Sequence, residues 1–340
     1  MPIAEIHAYY DNTYRFLVDA EEEDDLYAVE GNDTIFRSEH QANVCAKKLS
    51  LSDKMKVLDF GCAKGATLRH LVRLQPGIQP YVFEVSASYK NFWDAFVPED
   101  NQAIFKIKPQ WLGTLDVVLS FFTLEHIADA RQFIQTVASL LKDGGQLYVV
   151  VPNMYENIGD LIVVDHINHF SPTSLELLFS KADFSELEID DRSHKAAFIV
   201  RAVKGRRPNR GKGDAQPNTT EVEQYVGRAE EIARYWNNMR KKICRFEREH
   251  AEGKRAAIYG SGVYGAFIAS TLENIDQIEC FLDQNPHKYN KTLFDKDIRP
   301  PTDLASDVEI VYVGLNPNNA RRIIDDVQTL HAANRKFLFL

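Results

Sequence analysis

The sequence is sparing with cysteine, with long apolar runs and with positive charge, and each shortage excludes something. Its 340 residues include four cysteines, Cys45, Cys62, Cys244 and Cys280, and no two form a C-x-x-C pair. That spacing argues against a zinc module and against a disulfide framework, and it fits a reducing compartment. No apolar run approaches the ~20 residues that a membrane-spanning helix needs, so no membrane partner is expected. The opening residues, MPIAEIHAYYDNTYR, carry neither the basic start nor the apolar stretch of a secretion signal, and a cytoplasmic location is the expectation. Lys and Arg number 40 against 49 Asp and Glu, a formal net charge of −9. No dominant basic patch offsets it. A nucleic-acid partner is disfavoured, because phosphate backbones are bound by concentrated Lys and Arg. A small-molecule substrate remains.

The length exceeds what one core usually organises, so two domains are expected. Residues 1–50 are aromatic and acidic, with Tyr9, Tyr10, Tyr14 and Phe16 ahead of Glu21–Asp25 and helical patterning over Ser38–Leu49. They read as a helical cap, or as a lid whose aromatic residues close over a substrate. From Lys56 the pattern changes. MKVLDF, YVFEVS, LDVVLSFF and QLYVVVPN are short apolar runs of the buried-strand kind. ATLRHLVRL and Arg131–Leu141 between them are amphipathic helices. Alternation of this kind implies a mostly parallel sheet covered on both faces. A Ser-Pro-Thr-Ser capping signal opens a helix over 171–184, and two strands follow near 185–190 and 196–203. The first domain thus spans 51–203. Residues 204–220, rich in Lys, Arg, Gly, Pro and Asn, form a linker. Val222, Tyr225, Ala229, Ile232, Trp236, Met239, Ile243 and Phe246 then recur at helical spacing, which predicts one long amphipathic helix over 221–251. Its stripe can be buried within its own chain or in a homodimer. A second βα alternation fills 252–340.

The chemistry concentrates at Val57-Leu58-Asp59-Phe60-Gly61-Cys62-Ala63-Lys64-Gly65. A strand that runs into D-x-G-x-x-x-G and then a helix makes a tight turn where backbone can approach a ligand, and a Cβ at Gly61 or Gly65 would take the ligand's space. Asp59 can orient that turn or bind the amino group of a methionine moiety. Glu84 ends the next strand, where a carboxylate can accept both hydroxyl hydrogens of an adenosine ribose. The spacing G-x-x-x-G, in place of G-x-G-x-x-G, speaks against a nicotinamide dinucleotide.

VLDFGCAKG, Glu84, LDVVLSFFTLEHIAD and LLKDGGQLYVVVPN together resemble the class I S-adenosylmethionine-dependent methyltransferases, over about residues 40–200. The resemblance implies a Rossmann-like α/β core with S-adenosylmethionine as cofactor. Asp59, Gly61, Cys62, Gly65 and Glu84 would hold it, with Phe121, Phe122 and Leu124 under the adenine and the methionine end. The middle position of the turn, commonly glycine in the family, is Ala63. On the acceptor side, Val164-Asp165-His166-Ile167-Asn168-His169-Phe170-Ser171 follows the fifth strand of the core. Its aspartate and two histidines form a general-base candidate, since imidazole titrates near neutrality and a carboxylate can fix its tautomer. His169 could equally cap the following helix. His126, after the fourth strand of the core, lies close to where a transferable methyl would be, and could remove a proton or merely hydrogen-bond nearby backbone. No third ligand accompanies these histidines in the sequence, so no metal site is expected.

Ala257-Ile258-Tyr259-Gly260-Ser261-Gly262-Val263-Tyr264-Gly265 does carry G-x-G-x-x-G, with Asp283 at the end of the next strand. Alone that would suggest dinucleotide binding. FLDQNPHKYNKTL, IRPPTDL and VYVGLNPNNARRII, however, resemble the C-terminal domain of sugar C-methyltransferases, which methylate a keto sugar attached to a nucleoside diphosphate. The resemblance implies a second, smaller Rossmann-like domain that helps hold substrate. It also implies a place in carbohydrate biosynthesis and a base among Asp165, His166 and His126. The family's N-terminal cysteine-rich module is absent, and O-methylation of a saccharide stands beside C-methylation. A methyltransferase for another small molecule, or a non-catalytic nucleotide-binding protein, are the competing readings.

Overall fold

The computed structural model describes residues 20–30, 33–205, 219–331 and 335–340. The four N-terminal aromatic residues singled out above lie outside the described residues, as does most of the linker. The chain divides into two compact units, 1–156 with 165–223 and 157–164 with 224–340.

The first unit is built on a seven-stranded sheet. Its strands are β3 (Lys56–Phe60), β4 (Gln79–Glu84), β5 (Gln102–Ile104), β6 (Leu115–Phe121), β7 (Leu141–Pro152), β8 (Phe184–Asp190) and β9 (Ala197–Lys204). They lie in the order β5-β4-β3-β6-β7-β9-β8. β3 through β7 pair in parallel, and β9 runs antiparallel to both β7 and β8. The chain enters the sheet at β3 in its middle, builds outward to β5, then returns to lay β6 against the other side of β3. The crevice at the carboxyl ends of β3 and β6 is therefore the topological switch point, where such sheets bind ligands.

Burial explains why these runs become strands. Leu58 and Phe60 of β3 pack into one apolar cluster with Val118, Leu147 and Phe133, and Val57 packs into another with Val117, Leu119, Leu68 and Leu71. Both faces of the sheet are thus covered, by α2 (Ala66–Leu74) on one side and α3 (Ala130–Leu140) on the other. The segment ahead of the sheet holds an antiparallel hairpin, β1 (Leu26–Glu30) with β2 (Asp33–Phe36), followed by α1 (Arg37–Lys48). A helix-only cap omits that hairpin. Its strands, Leu-Tyr-Ala-Val-Glu and Asp-Thr-Ile-Phe, are short and pair only with each other, and their patterning in sequence is correspondingly faint. The capping signal at 171–174 takes full form. Ser171 Oγ accepts from Ser174 N, Ser174 Oγ accepts from Ser171 N, and Pro172 opens α4 (Pro172–Ser180).

The second unit has a six-stranded sheet in the order β12-β13-β11-β10-β14-β15. These strands are β10 (Ala256–Tyr259), β11 (Ile278–Leu282), β12 (Thr292–Leu293), β13 (Lys296–Arg299), β14 (Ile310–Val313) and β15 (Lys336–Phe339). All pairs are parallel except β12 with β13. The long helix α5 (Thr219–His250) buries Ile232, Trp236 and Ile243, while Val222 and Val226 near its start are exposed. Trp236 Nε1 donates to Ile158 O at 2.8 Å, and Tyr264 Oη accepts from Gly159 N at 3.0 Å. In this way the excursion 157–164 becomes part of the second unit. Among the described residues no helix is long and apolar enough to cross a membrane.

Candidate active site

At the switch point the turn 61–65 is held from below. Gly61 N and Cys62 N donate to Phe83 O at 2.9 and 3.3 Å, and Gly65 N donates to Cys62 O at 2.7 Å. Gly61 and Gly65 have φ of +75° and +67°, a region that L side chains rarely adopt. The space beside them belongs to protein, which corrects the expectation drawn from the motif. A Cβ on Gly61 would sit 2.5 Å from Thr123 Cγ2, and one on Gly65 would sit 3.1 Å from the Phe96 ring. Gly61 lets the β3 turn close against the loop after β6, and Gly65 lets it close against Phe96 in the segment after β4. Ala63 takes φ +45° without a glycine's freedom.

Glu84 reaches back under the turn. Its Oε2 accepts from Ala63 N at 2.8 Å and its Oε1 from Val85 N at 2.7 Å. In this structure the carboxylate therefore braces the turn that a ribose would lie on. Asp59 is 2% exposed, and its Oδ1 is buried with no hydrogen-bond partner among the described residues. Burial, with the charge of Glu84 added, pushes the Asp59 carboxyl up to about 8. Burial also raises Glu84, against the backbone donors of Ala63, Val85 and Ser86. Two carboxyl groups at neighbouring strand ends, one lacking a donor, fit a ligand that brings cationic and hydroxyl groups. S-adenosylmethionine carries an ammonium, a sulfonium and two ribose hydroxyls, and so fits this pair.

Other proposed cofactor residues divide. Phe121 and Phe122 are half-buried beside the crevice, and Phe122 has φ +50°. Leu124 is fully buried in the core, and the Cys62 side chain belongs to the apolar cluster on the other face, so neither offers its side chain to a ligand. Burial, with the charges of Glu84 and Asp59, raises the Cys62 thiol well above its usual range. Lys64, which the motif left unassigned, is 5% exposed. It donates to Ala20 O at 2.8 Å and Glu23 O at 2.5 Å, strapping the segment ahead of β1 to the turn. Arg69 adds an ion pair to Glu21 at 2.5 Å. Trp93 Nε1 donates to Ala63 O at 2.8 Å from the third side.

The acceptor-side residues converge next to this turn. Thr123 touches Gly61, and Glu125 and His126 follow it in the short 3-10 helix Leu124–His126. Asn168 clips the loop after β7 onto this helix. Asn168 N donates to Glu125 O at 3.0 Å and its Nδ2 to Ile127 O at 2.7 Å. That clip sets Asp165 and His166 against His126. His126 Nδ1 lies 3.0 Å from Asp165 O and 3.3 Å from Asp165 Oδ2, and the His126 and His166 rings meet edge to face with centroids 4.7 Å apart. Both neighbours of Nδ1 are acceptors, so Nδ1 carries the proton and Nε2 the lone pair. Burial alone would lower the His126 pKa. The hydrogen bond to Asp165 and the charges of Glu125 and Asp165 outweigh it and leave the imidazole above its ordinary value. Asp165 is held below the usual carboxylate range, its burial overcome by the hydrogen bond and charge of His126.

The N-cap of α4 is Ser171, so His169 does not cap that helix. Glu125, overlooked in the sequence, is 1% exposed and brings the third ligand-type atom that the histidines lacked. One such atom from each of Glu125, His126 and His166 lies within 4.8 Å of the other two. The expectation of no metal site rested on that missing ligand. The signal was an acid beside His126 in a run otherwise buried. His194 is 5% exposed and packs against Tyr27, His40 and Phe122; burial drops it to about 4.

Comparison with known proteins agrees with this geometry. The methyltransferase-domain family matches residues 36–189, which takes in the turn, Glu84 and the cluster. By that match residues 36–189, a little under half of the chain, are a methyltransferase domain. A ubiquinone biosynthesis O-methyltransferase of Caulobacter vibrioides is 30% identical over 108 residues, 29% of this chain and 41% of that one. Its counterpart from another Caulobacter species is 32% identical over the same shares. The chain spans about two fifths of the length of these curated relatives. An S-adenosylmethionine-dependent methyltransferase structure from Mesorhizobium loti aligns with a TM-score of 0.41 at 12% identity, covering 48% of this chain and 98% of that one.

The methyltransferase domain gives the buried Asp59 a testable consequence. A carboxyl with a pKa of about 8 is mostly protonated at pH 7. An ammonium placed against it favours the ionised form, so cofactor binding at pH 7 should release a proton, and the release should fade as pH rises past 8. Calorimetry of S-adenosylhomocysteine binding in buffers of different ionisation enthalpy measures this directly. Asp59→Asn should abolish the release, and a release unchanged in that variant would place the proton elsewhere.

Proposed function

We propose that this chain transfers a methyl group from S-adenosylmethionine to a sugar, in the first instance one linked to a nucleotide, at carbon or at oxygen. When bound, the cofactor supplies an electrophilic methyl on sulfur. The chain's own residues do the rest. Asp59 and Glu84 orient the donor, Thr123 closes the turn, and the His126–Asp165 pair with His166 takes up the acceptor's proton.

The single observation behind this reading is the imidazole–carboxylate cluster, whose His126 is three residues along the chain from Thr123, which touches the cofactor turn. An amine can attack a methyl with its lone pair, whereas a hydroxyl or a carbon beside a carbonyl must lose a proton. A cluster with a fixed tautomer suits the second kind of acceptor. The sugar is supported by the resemblance of residues 254–340 to the C-terminal domain of sugar C-methyltransferases. A second reading, methylation of an oxygen in ubiquinone biosynthesis, is favoured by the names of the curated relatives, and it would use the same cluster.

The test is a panel of nucleoside diphosphate sugars, keto and hydroxy forms, incubated with the chain and S-adenosylmethionine. A mass gain of one methyl is expected, and proton NMR separates methyl on carbon from methyl on oxygen. If a ubiquinone precursor is methylated and every sugar is returned unchanged, the sugar reading is overturned.

A further inference from the structure

We propose that Glu125, His126 and His166 hold a divalent transition-metal ion, of which Zn2+ is the archetype, at the acceptor end of the site. The inference rests on the reading of this domain as a methyltransferase only for what the ion would do there. The ligand set itself stands on geometry.

Three features carry it. First, a carboxylate and two imidazoles from two separate loops bring ligand atoms within 4.8 Å of one another. Ligands about 2.0–2.2 Å from a tetrahedral ion stand about 3.4 Å apart. Side-chain adjustments of about an ångström close the set. Second, His126 is already oriented as a ligand would be. Its Nδ1–H is directed at Asp165, at 3.0 Å to the carbonyl and 3.3 Å to Oδ2, which puts the lone pair on Nε2. A backbone carbonyl that takes the outer N–H of a histidine in this way, here with the Asp165 carboxylate beside it, is a usual support of a metal-bound imidazole. Third, Glu125 is 1% exposed, and its neighbour His126 has a second acid, Asp165, at its Nδ1. A dication compensates two carboxylates better than one imidazolium does. Two imidazoles select Zn2+, Co2+ or their neighbours over Mg2+ or Ca2+, which prefer oxygen ligands throughout. With the ion bound, Nε2 of His126 would be a ligand and no longer a base; three protein ligands leave a coordination position open, where an acceptor oxygen could bind and give its proton to solvent more readily.

Cobalt is the probe, because its visible absorption reports ligand number and geometry. The full chain, stripped with a chelator, is titrated with Co2+ and then with Zn2+ as competitor. One ion per chain is expected, with a visible band that Zn2+ abolishes. Glu125→Gln and His166→Ala should each weaken binding by more than about 100-fold. Asp165→Asn, an outer partner only, should cost about 10–100-fold. Absence of stoichiometric binding, or binding equally strong in both ligand variants, overturns the site. S-adenosylhomocysteine binding by the stripped chain is measured alongside. Its failure would count against the methyltransferase reading and leave the metal result to stand on its own. Should Glu125→Gln fail to fold, the half-buried His166 decides the matter.

Discussion

Glutamine at position 126 is expected to lower kcat by about 10²- to 10⁴-fold, the range that loss of a positioned proton-transfer group costs. S-adenosylhomocysteine should bind essentially as before, because the donor side is held without this ring: the turn is braced by Glu84, Thr123 and Trp93. Glutamine keeps a donor for Asp165, so the loop after β7 should stay in place through Asn168. What disappears is the lone pair on Nε2. His166→Ala should move turnover the same way, since its ring lies 4.7 Å from that of His126. The two losses together should fall short of the product of each alone, as they do for residues that act as a unit. Steady-state kinetics with calorimetric binding checks both halves. A drop in kcat below about tenfold, with binding intact, would take the cluster out of the reaction.

Gly61→Ala should fail on the donor side instead. The added Cβ meets Thr123 Cγ2 and Oγ1 at 2.5 Å, and the backbone there has φ +75°. The left-handed conformation costs about 1–2 kcal/mol for a residue with a Cβ, and overpacking adds about 1–3 kcal/mol. The expected destabilisation is about 2–5 kcal/mol by the same two contributions, seen in a denaturant titration of the domain. Cofactor affinity should fall with it, because relief of the clash moves the β3 turn away from the loop after β6. Pairing it with Thr123→Ala removes the clash and leaves the backbone conformation, so the double variant should recover part of the stability. No recovery would mean that the backbone angle alone sets the cost.

Much of the donor side was legible from residues alone. A strand, a turn with two glycines, a helix and an acid at the next strand's end are local patterns, and each was read from neighbours within a few positions. The order of the parallel strands follows in the same way, because βα alternation with short connections leaves few arrangements. The reason for the glycines was not legible. The constraint on Gly61 is Thr123, which belongs to a different strand's loop and meets it only once β6 is laid beside β3, and that on Gly65 is the Phe96 ring. Lys64 is a similar case. A lysine in a turn reads as solvated, and only the fold shows its ammonium enclosed by carbonyls of residues 20–23.

By itself, then, the sequence determined the α/β class, the buried strands, the cofactor turn and the long helix, since propensity, periodicity and capping act over a few residues. The tertiary structure alone decided the acceptor side. Glu125 and His166 are distant in the chain, and their adjacency depends on Asn168 joining two loops at the ends of β6 and β7. It likewise decided that Leu124 faces the core, that Ser171 and not His169 caps α4, and that 157–164 belongs with the second unit. Contacts between separate loops are fixed by where strands end in space, and no spacing along one strand or helix encodes that.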